Sequence, residues 1–135
     1  MKLTYDELKN LSYQELSEKI IRQLLLMEAI SATKPIYVYI DSPGGDADAG
    51  FAIFDMIRFV KPPVYTIGMG LVASAGALIL LAAPKNCRLG LPNSHYLIHQ
   101  PLSGIKGVAT DIEIHAKEIE KIRGKINTLI AEETG

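Results

Sequence analysis

Between Lys61 and Lys85 the chain carries no charged residue, and an uncharged run of that length is about what a helix needs to cross the hydrocarbon of a bilayer. Such a run must be either a membrane span or the interior of a folded domain, so it constrains the chain more than any other feature. Its internal order argues for the interior. It opens on Pro62-Pro63, passes through β-branched Val64, Thr66 and Ile67, is broken by Gly68, Gly70, Ser74 and Gly76, and closes on Ala- and Leu-rich helix formers. We read a strand from Val64 to Met69, a turn, and a buried helix from Ser74 to about Ala83. No membrane partner is expected.

The same alternation of strand and helix extends in both directions. Ser12 and Glu15 have capping-box spacing, with Leu11 and Leu16 as a hydrophobic staple, and predict a helix from Tyr13 to Ile30 whose core stripe is Leu16, Ile20, Leu24 and Met27. Thr4 and Glu7 repeat the capping spacing and predict a short turn of helix before it. Lys34-Pro35 closes the longer helix. Ile36 to Ile40 then reads as a strand with Ile36, Val38 and Ile40 on one face and Tyr37 and Tyr39 on the other. Asp41 to Gly45 is a turn, and Asp46 to Val60 a helix with Ala49, Ile53, Met56, Ile57 and Val60 inward. Short strands near Arg88 and over Tyr96 to Ile98 lead to a glycine-rich loop from Leu102 to Gly107. A third capping box, Thr110 and Glu113, starts a helix that runs to the end. The pattern predicts an α/β layered fold.

Length and charge narrow the function. At 135 residues the chain is one domain or part of one, and 14 Lys+Arg against 15 Asp+Glu, with no block of like charge, leaves no footprint for nucleic acid. The single Cys87 excludes an internal disulfide and a multi-cysteine metal cluster. The N-terminus lacks an apolar signal region, so a cytoplasmic location is expected. Along the last helix Ile112, Ile119, Ile122, Ile126 and Leu129 recur at spacings of three and four, with His115 in register. That seam predicts packing against a helix of a second subunit; the alternative is a helix folded back on its own domain.

Three pieces could carry chemistry: the glycine turn Asp41 to Gly45, Ser74 at a strand-to-helix turn among small residues, and His99 at a strand end before Gln100-Pro101. Together they supply a hydroxyl nucleophile, an imidazole to take its proton, and backbone N–H donors for an oxyanion. Each also has a plain structural reading. Ser74 could be a helix N-cap, His99 a strand-end histidine satisfied by a carbonyl, and Gly44-Gly45 a turn needing positive φ. A hydrolase elbow would carry glycine two positions before the serine, where Val72 stands. His95 reads as one position off the turn that precedes the strand, and His115 as part of the seam. Asp46 and Asp48 read as helix-end acids, and no metal-binding or phosphate-loop motif occurs, so no metal or cofactor is assigned.

These residues resemble a known family, the proteolytic subunit of the Clp protease (ClpP). The likeness runs from about Leu24 to Gly135 through IYVYIDSPGG (36–45), AGFAIFDMIRFVKPPV (49–64), ASAGA (73–77), LPNS (91–94), IHQP (98–101) and ATDIEIHAKEI (109–119). The resemblance implies a ClpP/crotonase-like α/β fold of repeated β-β-α units, a head over about residues 12–101 and a protruding handle helix from about 102. It implies Ser74 as nucleophile, His99 as general base and the N–H groups of Gly45 and Ala75 as oxyanion hole. It further implies a serine endopeptidase subunit assembled into heptameric rings stacked as a tetradecamer, with Ile112, Ile119 and Ile122 at the junction. An AAA+ unfoldase would feed polypeptide to the chamber and dock on an apolar surface of Tyr37, Tyr39, Phe59, Ile67 and Leu89. Asp41 stands where the family usually has asparagine, and Ala75 where it has methionine. The family's N-terminal loops are unrecognisable before Ser12, and its third triad residue, an aspartate, is expected beyond Gly135. Hence the alternatives of a ring subunit impaired by lack of that acid, or of a crotonase-type acyl-CoA enzyme using the same oxyanion hole, stay open at this stage.

Overall fold

The computed structural model describes residues 11–98 and 108–134. Helix α1 spans Tyr13–Ile30, as its capping residues predict: Ser12 Oγ accepts from the Glu15 N–H at 3.2 Å and donates to Glu15 Oε1 at 3.0 Å. Strand β1 spans Ile36–Ser42, helix α2 Ala47–Phe59, strand β2 Val64–Ala73, and helix α3 Ala75–Leu80. A 3₁₀ turn at Lys85–Cys87 leads to strand β3, Arg88–Gly90, strand β4, His95–Leu97, and helix α4, Ala109–Thr134. The turn of helix expected after Thr4 and the loop from Leu102 to Gly107 lie outside the described residues.

All strand pairs are parallel, as the helical crossovers require. Long β2 is the centre: β1 runs along one edge, while β3 pairs with Thr66 to Gly68 and β4 with Leu71 to Ala73 along the other. Helices α1 and α2 pack over the face bearing Ile36 and Val64, and Leu24, Ile53, Phe54, Ile57, Val60 and Leu81 close the core there. Phe54 was not among the inward residues expected for α2. The buried stripe is Gly50, Ile53, Phe54 and Ile57, at spacings i, i+3, i+4 and i+7, so the sequence reading had the right helix rotated by a fraction of a turn.

The uncharged run is the interior. Val64, Thr66, Val72, Ala73, Leu78, Leu81, Ala82 and Ala83 are all buried, and among the described residues no helix is long and apolar enough to cross a membrane. Its elements differ from expectation in length. Strand β2 continues to Ala73, and α3 stops at Leu80 rather than Ala83. Beyond Leu80 the bonding tightens to i→i−3, with Leu81 N–H on Leu78 O and Ala82 N–H on Ile79 O, each at 3.1 Å, and the carbonyls of Leu81, Ala82 and Ala83 are taken by two guanidinium groups. Arg58 donates to Ala82 O and Leu81 O, each at 3.3 Å, and Arg88 to Ala83 O and Leu81 O, each at 2.9 Å. Charged donors at the C-terminal end of a short helix satisfy its unpaired carbonyls. Helix α4 begins at Ala109, two residues before the start that a Thr110 cap implies, so Thr110 sits inside the first turn instead of capping it.

Glu133, near the end of α4, joins both arginines, at 2.6 Å from Arg58 Nη2 and 2.5 Å from Arg88 Nη2. The hydrogen bond from Arg58, and then that from Arg88, hold its carboxyl below the ordinary value of 4.5. A depressed acid stabilises the fold above its unfolded-state pKa, and that contribution is lost as pH falls through the folded value. With Arg58 partly in solvent, Glu133→Gln should cost roughly 1–2 kcal/mol at neutral pH. In urea melts the gap between wild type and variant should shrink below pH 4.5 and close once the wild-type carboxyl is protonated.

Candidate active site

Strand β2 delivers the chain to Ser74 and α3 takes it away, with no intervening loop. Ser74 has φ 54° and ψ −118°, and it is the one non-glycine residue with positive φ among those described. Such a conformation costs about 1–3 kcal/mol and persists only where surroundings over-determine it. They do so here. The Ser74 N–H donates to Leu97 O of β4 at 2.9 Å, and Ser74 O accepts from Ala77 and Leu78 N–H at 3.0 and 3.2 Å. Ser74 occupies the N-cap position of α3, as its plain reading expects, but its hydroxyl makes no capping bond.

Gly44 lies directly against it. A Cβ placed on Gly44 would sit 2.6 Å from Ser74 Cβ, 3.1 Å from Ser74 Oγ and 3.0 Å from Ala73 O, and Gly44 has φ +97°. Only glycine meets both demands. Ser42 Oγ accepts the Gly44 N–H at 3.1 Å and holds the turn. Beyond it, Gly45 faces the ring of Tyr13 at the start of α1, where a Cβ would lie 2.7 Å from Cε1.

Ser74, Ala75 and Gly45 open together on a cavity of about 410 Å³. Leu78 and Ile98 contribute to its apolar wall, Ile119 and Ile122 of α4 close it, and Asp46, Asp48, His115 and Glu118 also line it. Ala75 is the first residue of α3, where a backbone N–H has no partner inside the helix. A hydroxyl, a first-turn N–H and a glycine backbone thus share one cavity. His99 lies outside the described residues; its neighbour Ile98 lines the cavity.

The other predicted residues separate into groups. Asp41 does not line the cavity; it sits at a register break between β1 and β2, where its carboxylate accepts the Leu71 N–H at 3.1 Å. Asp46 caps α2 through the Asp48 N–H at 3.0 Å. No cluster of three or more metal-ligand side chains occurs among the described residues. The α4 seam is divided: Ile126 is buried on its own domain, Leu129 packs on the core, Ile119 and Ile122 are half-buried at the cavity, and Ile112 is exposed. Tyr39, Ile67 and Leu89 form one row across β1, β2 and β3. Tyr37, Tyr39 and Leu89 are exposed there, and Phe59 is exposed at the end of α2. Ile67 corrects the expectation of an exposed surface: it is 5% exposed, because it sits on the central strand with Tyr39 on one side and Leu89 on the other. Arg58, Arg88, Glu133 and Tyr13 were not singled out from sequence, because their partners are distant in the chain.

Fold and site define an α/β protein built around a strained serine elbow faced by a glycine turn. Comparison with known proteins gives that class a family. The sequence model for the Clp protease family matches residues 7–135. Over 122 residues the chain is 84% identical to the ATP-dependent Clp protease proteolytic subunit 2 of Treponema denticola, covering 90% of this chain and 61% of that protein. It is 59% identical to the subunit of the same name from Borreliella burgdorferi, over 90% of this chain and 62% of that protein. The solved structure of the ClpP1 N165D mutant from Listeria monocytogenes superposes with a TM-score of 0.83 at 52% identity, over 90% of this chain and 67% of that one. The chain belongs to the Clp protease family. It spans about 61% of the length of the curated relatives it matches.

Proposed function

We propose that this chain is a serine peptidase subunit of an ATP-dependent Clp protease, acting on polypeptides in the cytoplasm. The observation that carries the reading is Ser74 at a strained elbow, its hydroxyl making no capping bond, opening with Gly45 and Ala75 on one cavity. Ser74 Oγ attacks a peptide carbonyl, His99 takes the proton and returns it to the departing amine, and the N–H groups of Gly45 and Ala75 hold the oxyanion. Water then releases the acyl group. Relatives carrying the name proteolytic subunit support the assignment. Its test is covalent labelling of Ser74 by a fluorophosphonate.

Two further parts of the reading concern partners. The exposed side chains of Tyr37, Tyr39 and Leu89, with Ile67 in register between the last two and Phe59 exposed at the end of α2, are proposed as the seat of an AAA+ unfoldase. Tyr39→Ala should then depress unfoldase-driven degradation of a folded substrate several-fold more than cleavage of a short peptide; equal losses would remove the docking role. The handle is proposed to join heptameric rings into a stacked assembly through Ile112, with Ile119 and Ile122 completing the seam. Sedimentation should show large assemblies for the wild type and smaller species for Ile112→Asp; a wild type that stays monomeric at high concentration would refute assembly.

A further inference from the structure

Strand β4 is three residues long, and all three are exposed. Short exposed strands open readily, yet the Leu97 carbonyl of this one receives the Ser74 N–H at 2.9 Å. The strained elbow therefore leans on one of the least buried strands in the sheet. Something besides three ladder pairs must hold it.

Tyr96 is the side chain in a position to do so. Its hydroxyl leaves no room for a Cβ on Gly68, which would lie 2.7 Å away, and a Cβ on Gly90 would lie closer still. Gly68 and Gly90 are register partners on β2 and β3. Two glycines opposite one another in a sheet are unfavourable for the strands themselves and mark a place where another group approaches closely. Here that group is the phenol. Ser94 Oγ is hydrogen-bonded to the Tyr96 hydroxyl at 2.9 Å and to Leu91 O at 2.7 Å, and the Leu91 N–H reaches Gly68 O at 2.9 Å. The turn between β3 and β4 is thus closed over the glycine slot by Tyr96.

We infer that Tyr96 is a positioning residue for the nucleophile: seated in the Gly68–Gly90 slot, it fixes β4, and through the Leu97 carbonyl it holds the backbone of Ser74. This rests on Ser74 being the nucleophile. Neither glycine touches the cavity lining, so the effect is indirect.

The test is a double-mutant cycle read by the rate of fluorophosphonate labelling and by amide exchange at Ser74, both far below the melting temperature. Tyr96→Ala should slow labelling about tenfold or more and speed exchange, as expected for a displaced reacting group. Gly90→Ala, which fills the slot and evicts the ring, should do the same although alanine suits a strand better than glycine. Combining them should be no worse than either single change, because the clash needs the ring. Tyr96→Phe, which keeps the ring, should stay within about threefold of wild type. A structural role alone would lower the melting temperature and leave labelling unchanged. Wild-type labelling and exchange rates in Tyr96→Ala would overturn the inference. If the wild type itself does not label, the nucleophile assignment fails separately, and Ser74 exchange decides the anchoring: faster in Tyr96→Ala supports it, unchanged overturns it.

Discussion

Gly44→Ala should give a folded protein whose reaction at Ser74 falls by at least about a hundredfold. The added Cβ would stand 2.6 Å from Ser74 Cβ and 3.0 Å from a backbone oxygen, neither of which belongs to a flexible side chain that could swing away. The turn must retreat from the serine or the elbow must distort. Either movement separates the nucleophile from the Gly45 backbone. Alanine at φ +97° adds a strain of about 1–2 kcal/mol, which a melt would register as a modest loss. Labelling rate and melting temperature measured together check this. A Gly44→Ala protein that labels at the wild-type rate would show that contact between the two turns is irrelevant to the site.

Ser74→Gly should be more stable than Ser74→Ala by about 1 kcal/mol, with neither variant reacting. At ordinary positions glycine is the less stable of the two, because the unfolded chain has more freedom to lose. At φ 54° the order reverses, since alanine keeps the strain that glycine releases. Urea melts of the two variants measure the strain directly. Alanine proving the more stable would mean that Ser74 does not sit in the conformation described.

How far the fold was legible from sequence varies by element. Helix α1 was readable to the residue because Ser12 and Glu15 act locally and Lys34-Pro35 closes the far end. Strand β1 was plain in its facing from its alternation but not in its length: Asp41 and Ser42, read as turn residues, belong to the strand. The C-terminal end of α3 was not legible, because no residue beside Leu80 signals the tightening that follows it, and Arg58, which takes the Leu81 and Ala82 carbonyls, is remote in the chain. Phe54 escaped because Met56 offered a competing apolar stripe, and burial decided between them. At the site, Ser74 and Gly45 were recognisable by residue type and spacing. The positive φ at Ser74 was not, since serine carries no signal for it; a flanking glycine normally does, and Val72 stands there. Gly68, Gly90 and Tyr96 are a matched set only once β2, β3 and β4 are in register.

The central claim is that Ser74 is an activated nucleophile held at a strained elbow. Treating the wild-type protein with a fluorophosphonate and mapping the adduct by mass spectrometry tests it most directly. The account predicts one adduct, on Ser74, absent from Ser74→Ala and from His99→Ala. No adduct on the wild type, or an adduct that persists in Ser74→Ala, would contradict it.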